Sequence, residues 1–191
     1  MTMPTDVRIR PATEADGAAL AAIYAPHIET LHTSFEDVAP DAAAMAARIA
    51  ALRPLLPWLV AESDGNVLGY AYASRHRERA GYQWSVDVAI YLRDDARRQG
   101  LGRRLYQALF PILRRQGYYN AYAGIALPNP ASVALHESLG FAPVGVFQKV
   151  GYKHGAWHDV GWWQRALQPH ADAPSPPRPL AQLSAAERGL D

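Results

Sequence analysis

Along "VRIRPAT" apolar and polar residues alternate, which predicts a first strand. The period then changes. Thr13 stands three residues ahead of Asp16 in a capping-box arrangement. "GAALAAIYAPHIET" carries apolar residues at helical spacing, with Pro26 expected to bend or break that helix. "SFEDVAP" reads as loop. Asp41 caps a second helix, "AAAMAARIAAL", which must stop before Pro54. In "WLVAESDGNVLGYAYAS" two β-rich runs flank Asp64-Gly65, a hairpin signal. "YQWSVDVAIYL" is a further strand. "LGRRLYQALFPILRRQG" sets Leu101, Leu105, Leu109 and Leu113 on one helix face, closed by Gly117, and Pro111 inside it predicts a kink. "YNAYAGIAL" is a strand. Asn129 caps a fourth helix, Pro130 opens it and Gly140 closes it. "FAPVGVFQKVGYK" and "HDVGWWQRAL" finish as strands. This order predicts a mixed α/β domain with helices on both faces of one sheet.

Composition narrows the function classes. The chain has 191 residues, 49% hydrophobic and 19% charged, enough to bury a core. Its net charge of +1 gives no global attraction to nucleic acid or to a membrane surface. No apolar run approaches the ~18 residues of a membrane span, and no signal peptide is visible, so a cytoplasmic protein is expected. Without cysteine there is no disulfide, no thiolate metal site and no cysteine nucleophile. After Gln168 come five of the 15 prolines and little apolar content. Residues 168–191 are therefore expected to be a disordered tail, behind a single domain at 1–167.

One corner stands out. "VDVAIYLRDDARRQGLGRRLYQALF" runs from a strand into a helix through arginines wrapped around two glycines. A helix start exposes unbonded N–H groups and partial positive charge, and glycine lets the backbone approach a ligand. The stretch Arg98, Gln99, Gly100, Leu101, Gly102 and Arg103 would thus grip an anion by main-chain amides, with arginines as side-chain support and a pyrophosphate as the natural occupant. The alternative is a solvated basic helix start. The motif is neither a lysine-bearing P-loop nor a full G-x-G-x-x-G fingerprint.

Arg97-x-x-Gly100-x-Gly102 between a strand and an amphipathic helix resembles the acetyl-CoA signature of GCN5-related N-acetyltransferases (GNAT). Within that superfamily the chain resembles the phosphinothricin N-acetyltransferases, through "AYASRHRERAGYQWSVDVAIYL", "LPNPASVALHESLGF", "GYKHGAWHDVGWWQ", "HIETLHTSFED" and "LPWLVAE". The likeness runs from Val7 to Leu167. It implies the GNAT fold, a mixed, mostly antiparallel twisted sheet with a splayed central strand pair. It implies acetyl-CoA as co-substrate, with no metal. Ile90, Tyr91 and Leu92 match the strand that pairs with the pantetheine arm, and Asn129 matches the residue on the other side of the cleft.

The implied chemistry is direct transfer, in which an amine attacks the thioester and CoA leaves. An α-amino group must first lose a proton, and a carboxylate can take it directly or through water. The family places a glutamate just before the cofactor strand; this chain has Asp87, one methylene shorter, whose other reading is an ordinary outward-facing strand carboxylate. His136 falls where many superfamily members carry a tyrosine that protonates the leaving sulfur; it reads equally as a packed histidine at a helix–sheet seam. The implied acceptor is an anionic amino acid: phosphinothricin, methionine sulfoximine or arsinothricin. Arg77 and Arg79 are suited to oxyanions, with a solvated loop as their other reading. Phe35, Tyr82, Trp84 and Lys153 are expected around the same pocket. "YKHGAWHD" offers two histidines and a carboxylate, a weak metal pattern, and reads better as a loop over the substrate site or across a homodimer interface. Two other functions remain open: a GNAT enzyme for another amine, and a non-catalytic acetyl-CoA sensor.

Overall fold

The structure is a computed structural model that describes residues 6–189. Its strands are β1 (Arg8–Pro11), β2 (Trp58–Ser63), β3 (Asn66–Arg75), β4 (Ser85–Leu92), β5 (Asn120–Leu127), β6 (Ala142–Lys153) and β7 (Ala156–Ala166). The helices are α1 (Gly17–Glu29), α2 (Ala42–Leu52), α3 (Leu101–Gln116), α4 (Pro130–Ser138) and the single-turn α5 (Ala185–Arg188). The strands form one sheet in the order β1-β2-β3-β4-β5-β7-β6. Every neighbouring pair is antiparallel except β4 and β5, which run parallel.

Local chemistry places these elements as the residue pattern predicts. The β2–β3 hairpin turns on Asp64 and Gly65, both at positive φ, as a two-residue hairpin requires. Asp41 accepts a hydrogen bond from Ala44 N at 2.7 Å and starts α2. Gly117, at φ 100°, ends α3, which continues through Pro111. α1 likewise runs on past Pro26 to Glu29. Apolar residues cover both faces of the sheet. One core packs α3 onto Ala71, Ala73, Val86, Val88, Ala121 and Ala123. The other packs α1 and α2 onto Trp58, Val60 and Tyr70.

The segment after Gln168 runs back along the domain. Leu183 is 2% exposed in the α3-side core. Arg178 N donates to Gln116 O, Leu180 N to Leu55 O and Ala181 N to Pro54 O. The buried Gln116 amide donates back to Leu55 O and Arg178 O. Low average hydropathy hid one well-placed leucine. The prolines also leave the unfolded segment little freedom to lose.

Candidate active site

The parallel pairing of β4 with β5 covers only Ser85–Asn120, Val86–Ala121 and Asp87–Tyr122. Beyond Asp87, β4 stays bonded to β3 alone, while β5 stays bonded to β7 as far as Leu127. The two strands thus open into a wedge with Asp87 and Tyr122 at its vertex. Arg93 N donates to Leu68 O, and Ala73 N donates to Pro57 O on the β2 side. Antiparallel alternation then turns the backbone groups of Val88, Ile90 and Leu92 toward the open side. Tyr91 is bonded the other way, opposite Tyr70, and its ring packs 4.8 Å from Tyr24 and 4.9 Å from His27. Of the three expected cofactor-strand residues, Ile90 and Leu92 offer free backbone and Tyr91 supports the strand from behind.

The arginine-glycine corner closes one end of the wedge. Arg98, at φ 60°, and Gly100, at φ 75°, both take the left-handed conformation that turns successive amides inward. Among the described residues no side chain caps the first turn of α3, which leaves its N–H groups available to an anion. Gln99 is fixed by donating to Asp95 O at 2.7 Å. Arg97 pairs with Asp94 at 2.8 Å and lies 3.5 Å from His27 Nε2. Leu101 is buried, and Arg103 is exposed with a long 3.4 Å contact to Ser138 O. Gly102 is closely packed. A Cβ there would lie 3.0 Å from Leu135 Cδ2 and 3.2 Å from Ile90 Cδ1. Its missing side chain lets α3 approach α4 and the wedge strand. Across the opening, Asn129 Oδ1 accepts from Ser132 N at 3.2 Å, which leaves its amide nitrogen to donate elsewhere.

Asp87 faces the α1–α2 side of the sheet, in register with Ser74 and Tyr122. Its Oδ1 lies 2.6 Å from Nδ1 of His76. Burial raises its carboxyl above the usual range, opposed by the His76 hydrogen bond and the nearby charges of His76 and Arg77. The His76 ring stacks on Tyr122 at 4.4 Å, with Trp162 at 6.0 Å and Tyr82 at 6.2 Å edge-on. Arg77 lies 5.8 Å over the Trp162 ring and donates to His76 O. Arg79 is exposed at the head of the short turn Ala80–Tyr82 and has no ion pair among the described residues. Asp87, Arg77 and Tyr82 therefore converge on one patch, with Arg79 beside it.

Other expected residues are engaged elsewhere. His136 is 3% exposed. Its Nδ1 lies 2.8 Å from Ser132 O and its Nε2 3.0 Å from the Tyr106 hydroxyl. A carbonyl can only accept, so Nδ1 carries the proton and Nε2 accepts from Tyr106. Burial lowers its basicity further. This is a packed histidine at the helix–sheet seam, with both ring nitrogens hydrogen-bonded. Lys153 Nζ donates to Ser34 O at 2.6 Å and Glu36 O at 2.7 Å, which pins the loop after α1 to the β6–β7 hairpin. Trp84 Nε1 donates to Ser175 O of the C-terminal segment. Phe35 is 39% exposed and lies on Gly151, where any side chain would collide with its ring. Among the described residues no group of three or more His, Cys, Asp or Glu is placed to hold a metal ion.

The residue pattern did not single out His76, although "SRHRERAGY" contains it between the two expected arginines. It also passed over the aromatic cavity of about 330 Å³ between Tyr24, Arg48, Trp58, Tyr70 and Tyr72, on the same sheet face as Asp87. Arg48 there is neutralised by Glu36, which it grips through both guanidinium nitrogens at 2.8 and 2.7 Å.

A parallel strand pair that opens into a wedge, beside a glycine-arginine helix start, is a seat for a long cofactor with a pyrophosphate. The family model for the acetyltransferase (GNAT) domain matches residues 9–162. The chain belongs to the GNAT acetyltransferase family. It is 42% identical over 178 residues to a phosphinothricin N-acetyltransferase of Streptomyces viridochromogenes, covering 93% of this chain and 95% of that protein. It is 38% identical to an L-methionine sulfoximine/L-methionine sulfone acetyltransferase of Pseudomonas paraeruginosa, over 87% and 98% of the two chains. A phosphinothricin acetyltransferase from Sinorhizobium meliloti, solved in complex with acetyl-CoA, superposes with a TM-score of 0.83 at 32% identity, covering 91% and 98%. As a GNAT enzyme this chain is an N-acetyltransferase that uses acetyl-CoA, and its own residues fit that group: open backbone at Val88, Ile90 and Leu92, and uncapped amides at Gly100–Arg103. When bound, acetyl-CoA supplies an acyl group on a good leaving group.

Proposed function

We propose that this enzyme acetylates the α-amino group of a glutamate-like amino acid with a tetrahedral oxyanion head, of the phosphinothricin and methionine sulfoximine kind. The observation that carries this reading is the pairing of one half-buried carboxylate, Asp87, with two arginines that have no salt bridge among the described residues, Arg77 and Arg79. Asp87 favours an amine on one side, and the arginines favour oxyanions on the other. A polyamine would meet the wrong charge. Val88, Ile90 and Leu92 hold the pantetheine arm, and a backbone N–H of the wedge strand supports the carbonyl oxygen as charge builds. Gly100, Leu101, Gly102 and Arg103 offer amides to the pyrophosphate, with Arg97 and Arg98 adding charge and Asn129 bonding from the far side. The curated relatives that act on such amino acids support the same substrate class. Product analysis tests the reading: mass and NMR spectra should show one acetyl group on the α-nitrogen. Arg79→Ala should raise KM for the amino acid about tenfold or more and leave KM for acetyl-CoA near wild type. An unchanged amino-acid KM would remove Arg79 from the site.

The assembly belongs to the same proposal. β6 lies at the sheet edge and exposes Val146 at 51%, Phe147 at 54%, Val150 at 53% and Tyr152 at 60%. A run of exposed apolar residues on an edge strand calls for a cover, and a second copy of this chain supplies one.

A further inference from the structure

A carboxylate alone is an incomplete account of the proton acceptor at this vertex, because Asp87 is already committed. We propose that His76, held by Asp87, is the group that takes the proton from the acceptor's ammonium, with Asp87 as its positioning partner. The inference rests on the acetyl-transfer reading above and assigns its base.

Three geometric facts carry it. First, the carboxylate oxygen 2.6 Å from Nδ1 can only accept, so Nδ1 bears the hydrogen and the lone pair of the ring sits on Nε2. Nε2 has no hydrogen-bond partner within the described residues and is not among their fully enclosed polar atoms. Second, three aromatic rings hold the imidazole plane. Tyr122 lies flat against it at an interplanar angle of 16°, while Trp162 and Tyr82 meet it edge-on. A packed, oriented ring is what a proton-transfer group requires. Third, Tyr122 is the last β5 residue paired with β4, so the stacked imidazole lies over the vertex from which the wedge opens.

The titratable and charged groups facing His76 are Asp87 from β4, Tyr122 from β5, Tyr82 from the short turn and Arg77 from its own loop. Of these only Asp87 bears negative charge near neutrality, and it stabilises the imidazolium that forms at the moment of transfer. Burial raises the Asp87 carboxyl, and the His76 hydrogen bond with the nearby charges of His76 and Arg77 acts against that rise.

The step balances. The substrate ammonium gives one proton to Nε2 and becomes a free amine. The amine nitrogen bonds to the thioester carbonyl carbon, and the carbon–sulfur bond breaks with its electron pair going to sulfur. The second proton lost by nitrogen neutralises that sulfur as CoA thiol. The imidazolium returns its proton to water, so one proton is released per amide formed.

The test compares wild type with His76→Phe, which keeps the ring on Tyr122 and removes both nitrogens, and with His76→Gln as a second variant should the first not fold. Folding is checked by acetyl-CoA affinity in calorimetry, expected within about twofold of wild type. kcat/KM for the amino acid should fall about 100-fold or more, within the range for loss of a general base, and its acidic limb should move to lower pH. Nitrogen-15 spectra of wild type at pH 8 should show His76 protonated on Nδ1 and bare on Nε2, a pattern weakened in Asp87→Asn. If His76→Phe keeps more than about half of the wild-type kcat/KM with an unchanged pH profile, or if the spectra show the proton on Nε2, the relay is overturned while the transferase reading stands. If wild type binds acetyl-CoA and acetylates no amino acid, the transferase reading falls and takes the relay with it.

Discussion

Replacing Gly102 by valine puts a branched side chain where a single Cβ would already sit 3.0 Å from Leu135 and 3.2 Å from Ile90. Overpacking of this kind costs about 1–3 kcal/mol. The thermal midpoint should therefore fall together with acetyl-CoA affinity; a variant that lost affinity at an unchanged midpoint would show that Gly102 serves the phosphate seat and not the packing. His136 separates packing from chemistry in the opposite direction. His136→Gln breaks the buried chain from Tyr106 to Ser132, so stability should drop by about 1–3 kcal/mol while kcat stays within about twofold of wild type. A kcat loss of 100-fold or more without unfolding would restore it as an acid. In both cases the residue was legible in the sequence and its packing partners were not. Spacing marks where a residue falls along an element, but not which neighbours the third dimension brings to its side chain.

At the scale of elements, legibility follows the range of the interactions. Caps at Asp41, Asn129 and Gly117, and the turn at Asp64-Gly65, depend on neighbours within a few residues, and the structure has them where the pattern puts them. The wedge depends on β4 releasing β5 after three paired residues, a long-range event whose sequence trace is only the family likeness. The contacts of the C-terminal segment leave little trace in composition because they are sparse: Leu183 in the core and a few backbone hydrogen bonds to α3 and the loop after α2. Truncation after Gln168 should uncover that core. Burying one leucine is worth about 1.5–3 kcal/mol, so the midpoint should fall by several degrees. An unchanged midpoint would show that the segment contributes nothing to the fold.

For the whole molecule, acidity and assembly are the two handles. Burial and the neighbouring Arg97 charge push His27 down to about 4 from its ordinary 6.5. The unfolded imidazole therefore binds a proton before the folded one does. Stability from this group is complete above pH 6.5 and is lost as the pH falls toward 4. Asp16 and Glu36, held down by Arg10 and Arg48, add to the loss only at lower pH, whereas Asp87, raised by burial, opposes it. Denaturant midpoints between pH 7 and 5 should fall for wild type and fall less for His27→Gln; equal slopes would show that His27 is not the sensitive group. Phe147→Glu should convert a dimer to a monomer in light scattering at micromolar concentration. A wild-type chain already monomeric there would leave β6 without the proposed partner.

The most direct measurement is free-thiol release by the purified chain with acetyl-CoA and a panel of L-phosphinothricin, methionine sulfoximine and glutamate. Release should be fast with the two tetrahedral-headed amino acids, weak with glutamate, and lost by 100-fold or more in Asp87→Asn. Equal rates for all three would contradict the oxyanion assignment, and a fully active Asp87→Asn would contradict a site built at the vertex of the wedge.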